Sequence, residues 1–182
     1  MPNLIPCQFN YPRYNEGPKF RNPFISKHMR IEYQIASNML RQRKTLSAAE
    51  SCTGGLLANA LTNVSGSSMF FHLGIVAYDN AAKIKLLKIP AELLETHGAV
   101  SEVVARLMAE NVRKILKTSL GVGVTGIAGP TGGTKAKPVG LTYIAISDGK
   151  KTICKKFVFP GNRVENKHKT LGATLRLILS FL

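Results

Sequence analysis

Thr45-Leu46-Ser47-Ala48-Ala49-Glu50-Ser51-Cys52-Thr53-Gly54-Gly55-Leu56-Leu57-Ala58-Asn59-Ala60-Leu61, residues 45–61, is the stretch that decides the fold. Residues 45–49 read as a short buried strand. Leu56, Leu57, Ala60 and Leu61 then recur at helical spacing, which predicts a helix over 52–62. Ser51 therefore stands at a strand-to-helix junction, where unpaired helix N–H groups can hold an anion or a developing oxyanion. Gly54 and Gly55 lack the Cβ atoms that would keep a ligand away from the backbone. On this run alone two roles stay open. Ser51 or Thr53 can be a helix N-cap, the commoner use of such residues, or Ser51 can be a nucleophile. Glu50 is read as orienting the loop, holding a substrate hydroxyl or making a structural hydrogen bond. Cys52 fits a small buried residue better than a nucleophile.

Outward from this stretch the chain alternates helices and strands. Residues 1–30 carry five prolines, at 2, 6, 12, 18 and 23, that interrupt every periodic run, and they read as an irregular or disordered arm. Residues 31–182 form the domain. Ile31 to Leu40 is a helix, His72 to Tyr78 a strand and Asn80 to Leu87 a short helix capped by Asp79 or Asn80. Ser101 to Lys117 has the clearest amphipathic pattern, with Ser101 as its cap. Leu120 to Thr125 is a buried strand. Two further strands, 139–147 and 152–159, are joined as a hairpin across Asp148-Gly149-Lys150, and a closing helix starts near Asn162. Alternation with one hairpin predicts a single domain, a three-layer α/β/α sandwich with a mixed sheet.

Composition narrows the function classes. At 182 residues, 45% of them hydrophobic, the chain suits one globular domain. It has no run of about 18 or more apolar residues, so no membrane span is expected. Three widely spaced cysteines make neither a disulfide framework nor a zinc pattern, and they fit a reducing, cytoplasmic setting. Four scattered histidines and no carboxylate pair at ligand spacing give the expectation of no metal and no cofactor. The net charge of +15 favours anionic partners. Basic residues are spread along the chain without a nucleic-acid motif, so nucleic-acid attraction is expected to be weak and nonspecific.

Three further groups can carry chemistry. Gly126-Ile127-Ala128-Gly129-Pro130-Thr131-Gly132-Gly133 follows a strand as the first glycine run does, yet is neither a Walker loop nor a dinucleotide fingerprint. It is either a second backbone-lined wall of a pocket or a tight turn. Tyr78 and Lys83 can point into one cleft, where a lysine of lowered pKa serves a serine as general base; a lone lysine on a short helix is more often only solvated. Arg163 opens the last helix, where a guanidinium and a helix N-terminus can share a phosphate, with Lys167 one turn on.

Taken in order, these segments resemble the CinA-type C-terminal domain, the nicotinamide-nucleotide amidase family, from about residue 32 to the end. The resemblance rests on Ala49–Gly55, Tyr78–Lys83, Gly98-Ala99-Val100-Ser101, Thr125–Pro130 with Gly132-Gly133, Lys137-Pro138-Val139-Gly140 and Gly161-Asn162-Arg163. It implies hydrolysis of the carboxamide of nicotinamide mononucleotide to nicotinate mononucleotide and ammonia. Ser51 matches the family's nucleophile, and Tyr78 and Lys83 its base partners. Thr53, Gly54 and Gly55 are the oxyanion candidates. Thr125, Gly126, Gly129, Gly132, Gly133 and Arg163 are the substrate-binding candidates. The partner implied is a phosphorylated pyridine nucleotide, with no membrane, and family likeness alone suggests a homo-oligomer. A non-catalytic nucleotide- or DNA-associated binding protein of the same fold is the alternative.

Two departures have consequences. The family often has Ser or Thr where this chain has Asp79, and a carboxylate there is expected to raise the pKa of Lys83 unless it faces away. Ser119-Leu120-Gly121 lacks the Ala-Asp pair that usually precedes the Thr-Gly-Ile strand. Longer family members also carry an N-terminal pyrophosphatase-like domain, and none is expected within these 182 residues.

Overall fold

A computed structural model describes residues 30–182. The arm expected over 1–30 lies, but for Arg30, outside the described residues. Helix α1 (Ile31–Arg41) leads into strand β1 (Leu46–Glu50), α2 (Leu56–Thr62), a single 3-10 turn and β2 (Phe71–Val76). Then come α3 (Asn80–Leu87), α4 (Ala91–His97), α5 (Glu102–Leu116) and β3 (Leu120–Gly126). The hairpin β4 (Leu141–Ser147) and β5 (Thr152–Val158) precedes α6 (Arg163–Phe181).

The five strands form one sheet in the order β2-β1-β3-β4-β5. β1 is parallel to β2 and β3, whereas β3-β4-β5 is an antiparallel run, so the sheet is mixed as expected. Strand alternation sorts the two faces. Leu46, Ala48, Leu120, Val122, Val124, Ile144 and Ile146 face one core with Ile35 and Met39 of α1, Leu57 and Leu61 of α2, and Ile178 of α6. The other face of the sheet meets α5, flanked by α3 and α4, through Leu87, Leu94, Val104, Met108 and Val112.

The two faces are packed differently. On the α5 side β3 presents Gly121 and Gly123, and a Cβ at either would run into the backbone of α5 at Ala109 or Ala105. Small residues there let the helix lie directly on the strand, with Ala105, Ala109 and Ala145 buried together. Gly121 is therefore a packing position. Among the described residues no helix is long and apolar enough to cross a membrane.

Candidate functional site

β1 pairs Glu50 with Val76 on one side and with Val124 on the other. One residue further on, Ser51 lies between Ala77 and Thr125. Two bonds fix that level: Ser51 N–H donates to Val124 O at 2.9 Å, and Ala77 N–H donates to Glu50 O at 2.8 Å. Neighbouring strands are about 4.8 Å apart, so the three loops leave the sheet side by side. They leave at the carboxyl ends of the parallel strands, where open α/β sheets bind ligands.

The first loop is built by Glu50, not by a hydroxyl cap. Its buried carboxylate accepts from the N–H groups of Gly55 (3.0 Å), Leu57 (3.1 Å) and Ala58 (2.9 Å). α2 accordingly starts at Leu56 rather than near Cys52, after Gly55 takes φ of 94°, a conformation that strongly favours glycine. Neither Ser51 nor Thr53 caps the helix. That removes the competing reading of Ser51. The residue is 8% exposed, and among the described residues its hydroxyl makes no hydrogen bond.

Bonds within this loop occupy two of the three expected oxyanion donors. Gly54 N–H already donates to Ser51 O at 3.1 Å and Gly55 N–H to Glu50, so both glycines shape the loop without offering a free N–H. Thr53 is fully buried with an unpartnered hydroxyl. Above the loop stands Lys167 of α6, whose Nζ would be 3.5 Å from a Cβ at Gly54.

Lys83 lies beneath the second loop, 1% exposed. Its Nζ donates to Ala77 O at 2.9 Å and Tyr78 O at 3.1 Å, which brings the amine to the level of Ser51. Burial lowers its pKa below the ordinary 10.5, against smaller raising effects of Asp79 and Cys52. Asp79 is turned to the start of α3, where it caps Ala81 N–H at 2.7 Å. The feared carboxylate is thus outweighed. Cys52 is buried against Gly126, and burial foremost pushes its thiol up to about 12, which leaves it protonated and unsuited to attack.

Tyr78 does not end the strand, as expected, but follows it in the loop, half exposed. Arg163, the first residue of α6, reaches across to it. One guanidinium nitrogen donates to the Tyr78 hydroxyl at 2.6 Å and another to Gly129 O at 2.8 Å. The arginine therefore joins the β2–α3 loop to the second glycine loop. Tyr78, Arg163 and Gly129 are brought together, and Ser51 and Lys83 share a level. Among the described residues no hydrogen bond links the two groups.

The remaining candidates have packing explanations. Thr125 is buried and its hydroxyl donates to Ala99 O at 2.8 Å, tying the α4–α5 loop to the sheet. Gly126 sits against Thr142 and Cys52, while Gly129 and Gly133 lie against Val139 and Gly132 near Ile127. Asn166, which no motif singled out, donates to Ala128 O at 3.1 Å and Gly161 O at 2.9 Å, and its buried Oδ1 has no partner among the described residues. Its one sequence signal is a polar residue on the buried face of the last helix. Among the described residues no cluster of three His, Cys, Asp or Glu is placed to hold a metal ion.

A three-layer α/β domain with a serine, a buried lysine and a tyrosine–arginine pair at one sheet edge defines a class with known members. Its profile, described as the CinA C-terminal domain, matches residues 28–182. The chain belongs to that family. A CinA-like protein of Syntrophus aciditrophicus is 46% identical over 163 residues, 89% of this chain and 39% of the relative. The solved structure of competence/damage inducible protein CihA from Agrobacterium tumefaciens is 35% identical with a TM-score of 0.79, covering 82% of this chain and 94% of that one. That of a competence-damaged protein (CinA) superfamily protein from Escherichia coli is 27% identical with a TM-score of 0.80, covering 91% and 100%. The chain spans less than two fifths of the length of curated relatives such as the Syntrophus protein.

Proposed function

We propose that this domain hydrolyses the carboxamide of nicotinamide mononucleotide through Ser51. The observation that carries the reading is the setting of Lys83: buried, lowered in pKa and held at the level of Ser51 by two carbonyl oxygens. A neutral amine has two N–H groups and one lone pair. Two carbonyl acceptors use both N–H groups and leave the lone pair free to take a proton. Ser51 Oγ attacks the carboxamide carbon while its proton passes to Lys83, directly or over a water. The C–N bond then breaks, the proton leaves with the nitrogen as ammonia, and water hydrolyses the acyl ester on Ser51. Arg163 and Lys167 supply positive charge beside the loop for the phosphate of the nucleotide. Tyr78, already accepting from Arg163, acts as a positioning group for that arginine.

Purified protein assayed for ammonia release against nicotinamide mononucleotide, nicotinamide riboside and free nicotinamide tests this reading. Turnover of the phosphorylated compound well above the other two is expected. Equal turnover of all three removes the phosphate from the argument, and no turnover of any leaves only a binding role.

A further inference from the structure

The opposite end of the sheet carries a basic cavity that the proposed reaction does not use. It has a volume of about 450 Å³ and lies between α5 and the β4–β5 turn, lined among others by Arg113, Lys114, Gly149, Lys150 and Glu110. β3 runs from this end at Gly121 to the Ser51 end at Gly126, which separates the two regions by roughly 15–20 Å. The volume falls in the range of small-molecule sites, about 300–1,000 Å³.

The charges here are not spent on each other. Among the described residues Arg106 is the one lining cation held by a carboxylate, at 2.7 Å from Glu102. Arg113 is half-buried, and among the described residues it has no acidic partner. Its Nε is buried without an acceptor, and its guanidinium has a single long bond to Thr118 O, at 3.2 Å. A guanidinium withdrawn from water without a counter-charge is unfavourable, and a bound anion relieves that. The turn is shaped around it. Gly149 has φ of +88°, and a Cβ there would collide with the Arg113 guanidinium. Asp148, the acidic residue of the turn, is turned back onto the Lys150 and Lys151 N–H groups at 2.8 Å. Glu110 is engaged by the Thr152 hydroxyl at 2.8 Å. Lys151 also lines the cavity, with its ammonium over the Phe181 ring. Lys114 donates only to the neutral Asn111 Oδ1, at 3.2 Å, so Arg113, Lys114 and Lys150 are lining cations without a carboxylate partner among the described residues, against the one lining carboxylate, Glu110.

We propose that this cavity is a binding site for a small anion carrying a pyrophosphate group. Arg113 is its fork-shaped anchor, and Lys114 and Lys150 are point charges on either side. Enclosure by a helix and a tight turn suits a compact anion better than a long nucleic-acid backbone. Two sources share the chemistry: inorganic pyrophosphate and a nucleoside diphosphate.

Calorimetric titration of the full chain with inorganic pyrophosphate and with ADP, at low and high salt, tests the site. Saturable binding of at least one of them is expected, weakened roughly tenfold or more in Arg113→Gln and in Lys150→Glu. Lys150→Glu changes an exposed turn residue, so it remains informative if Arg113→Gln fails to fold. Binding must survive in Arg163→Met, because phosphate held at the Ser51 edge would be lost there. Preference for ADP identifies a nucleotide site, and equal binding identifies a site for the pyrophosphate group alone. The proposal is overturned by no saturable binding at millimolar ligand, by affinities unchanged in both variants, or by loss confined to Arg163→Met.

Discussion

Lys83 carries more of the account than any other side chain. A lysine placed 1% exposed is unusual, and its burial lowers the pKa that a solvated lysine would keep near 10.5. If the neutral amine is the base, activity rises with pH through that lowered value. Asp79 opposes the lowering, so Asp79→Asn is expected to move the rising limb of the pH profile to lower pH. Asparagine is as good an N-cap as aspartate, so α3 keeps its start. A limb that stays put or moves up separates Lys83 from the proton transfer. In sequence, Lys83 was legible as a base candidate beside Tyr78, through its place on a short helix and the family resemblance, but its burial was not. Its burial comes from the way α3 folds back under Ala77 and Tyr78, and no local pattern encodes that.

At the scale of elements, the strand–loop–helix at 46–62 is held by a charge-assisted bond set from Glu50 to three N–H groups. Glu50→Ala leaves the start of α2 without acceptors and is expected to cost about 3 kcal/mol, or roughly 6–12 °C in Tm for a domain of this size. Thr53→Ala, which removes a hydroxyl without a partner, is expected to leave Tm unchanged or raise it slightly. Differential scanning calorimetry on both variants checks the contrast; an equal loss from the two would contradict it. This junction was legible in the sequence, but the helix begins at Leu56, four residues later than its spacing suggests. Helical spacing from Leu56 extends backwards without a visible stop, and the true start depends on a carboxylate six positions upstream. The hairpin and α5 were legible because turn chemistry and amphipathic period are both local there. The link from Arg163 to Tyr78 spans distant segments, and only the closed fold reveals it.

Across the whole molecule the sheet separates two candidate sites. The Ser51 edge gathers loops from β1, β2 and β3 and the start of α6, and the far edge gathers α5 and the β4–β5 turn. Burial of Lys83 also marks the stability of the domain. Its folded pKa is lowered, so between that value and 10.5 the unfolded state binds more protons and stability rises with pH. Below that window the cost of the buried charge is present in full; above it the cost is gone. Lys83→Met is therefore expected to flatten the rise in urea midpoint across the window, whatever its effect on absolute stability. An unchanged slope would mean that other groups set it. Three-layer order and mixed pairing followed from the alternation of elements together with the one hairpin, whereas the asymmetry of the two faces needed the contact of α5 with Gly121 and Gly123.

The most direct measurement is ammonia release from nicotinamide mononucleotide by Ser51→Ala beside the parent protein, with folding of both checked by circular dichroism. Loss of at least about 1,000-fold in kcat with an intact fold is the result predicted for a serine nucleophile. Turnover by the alanine variant within a fewfold of the parent would contradict it.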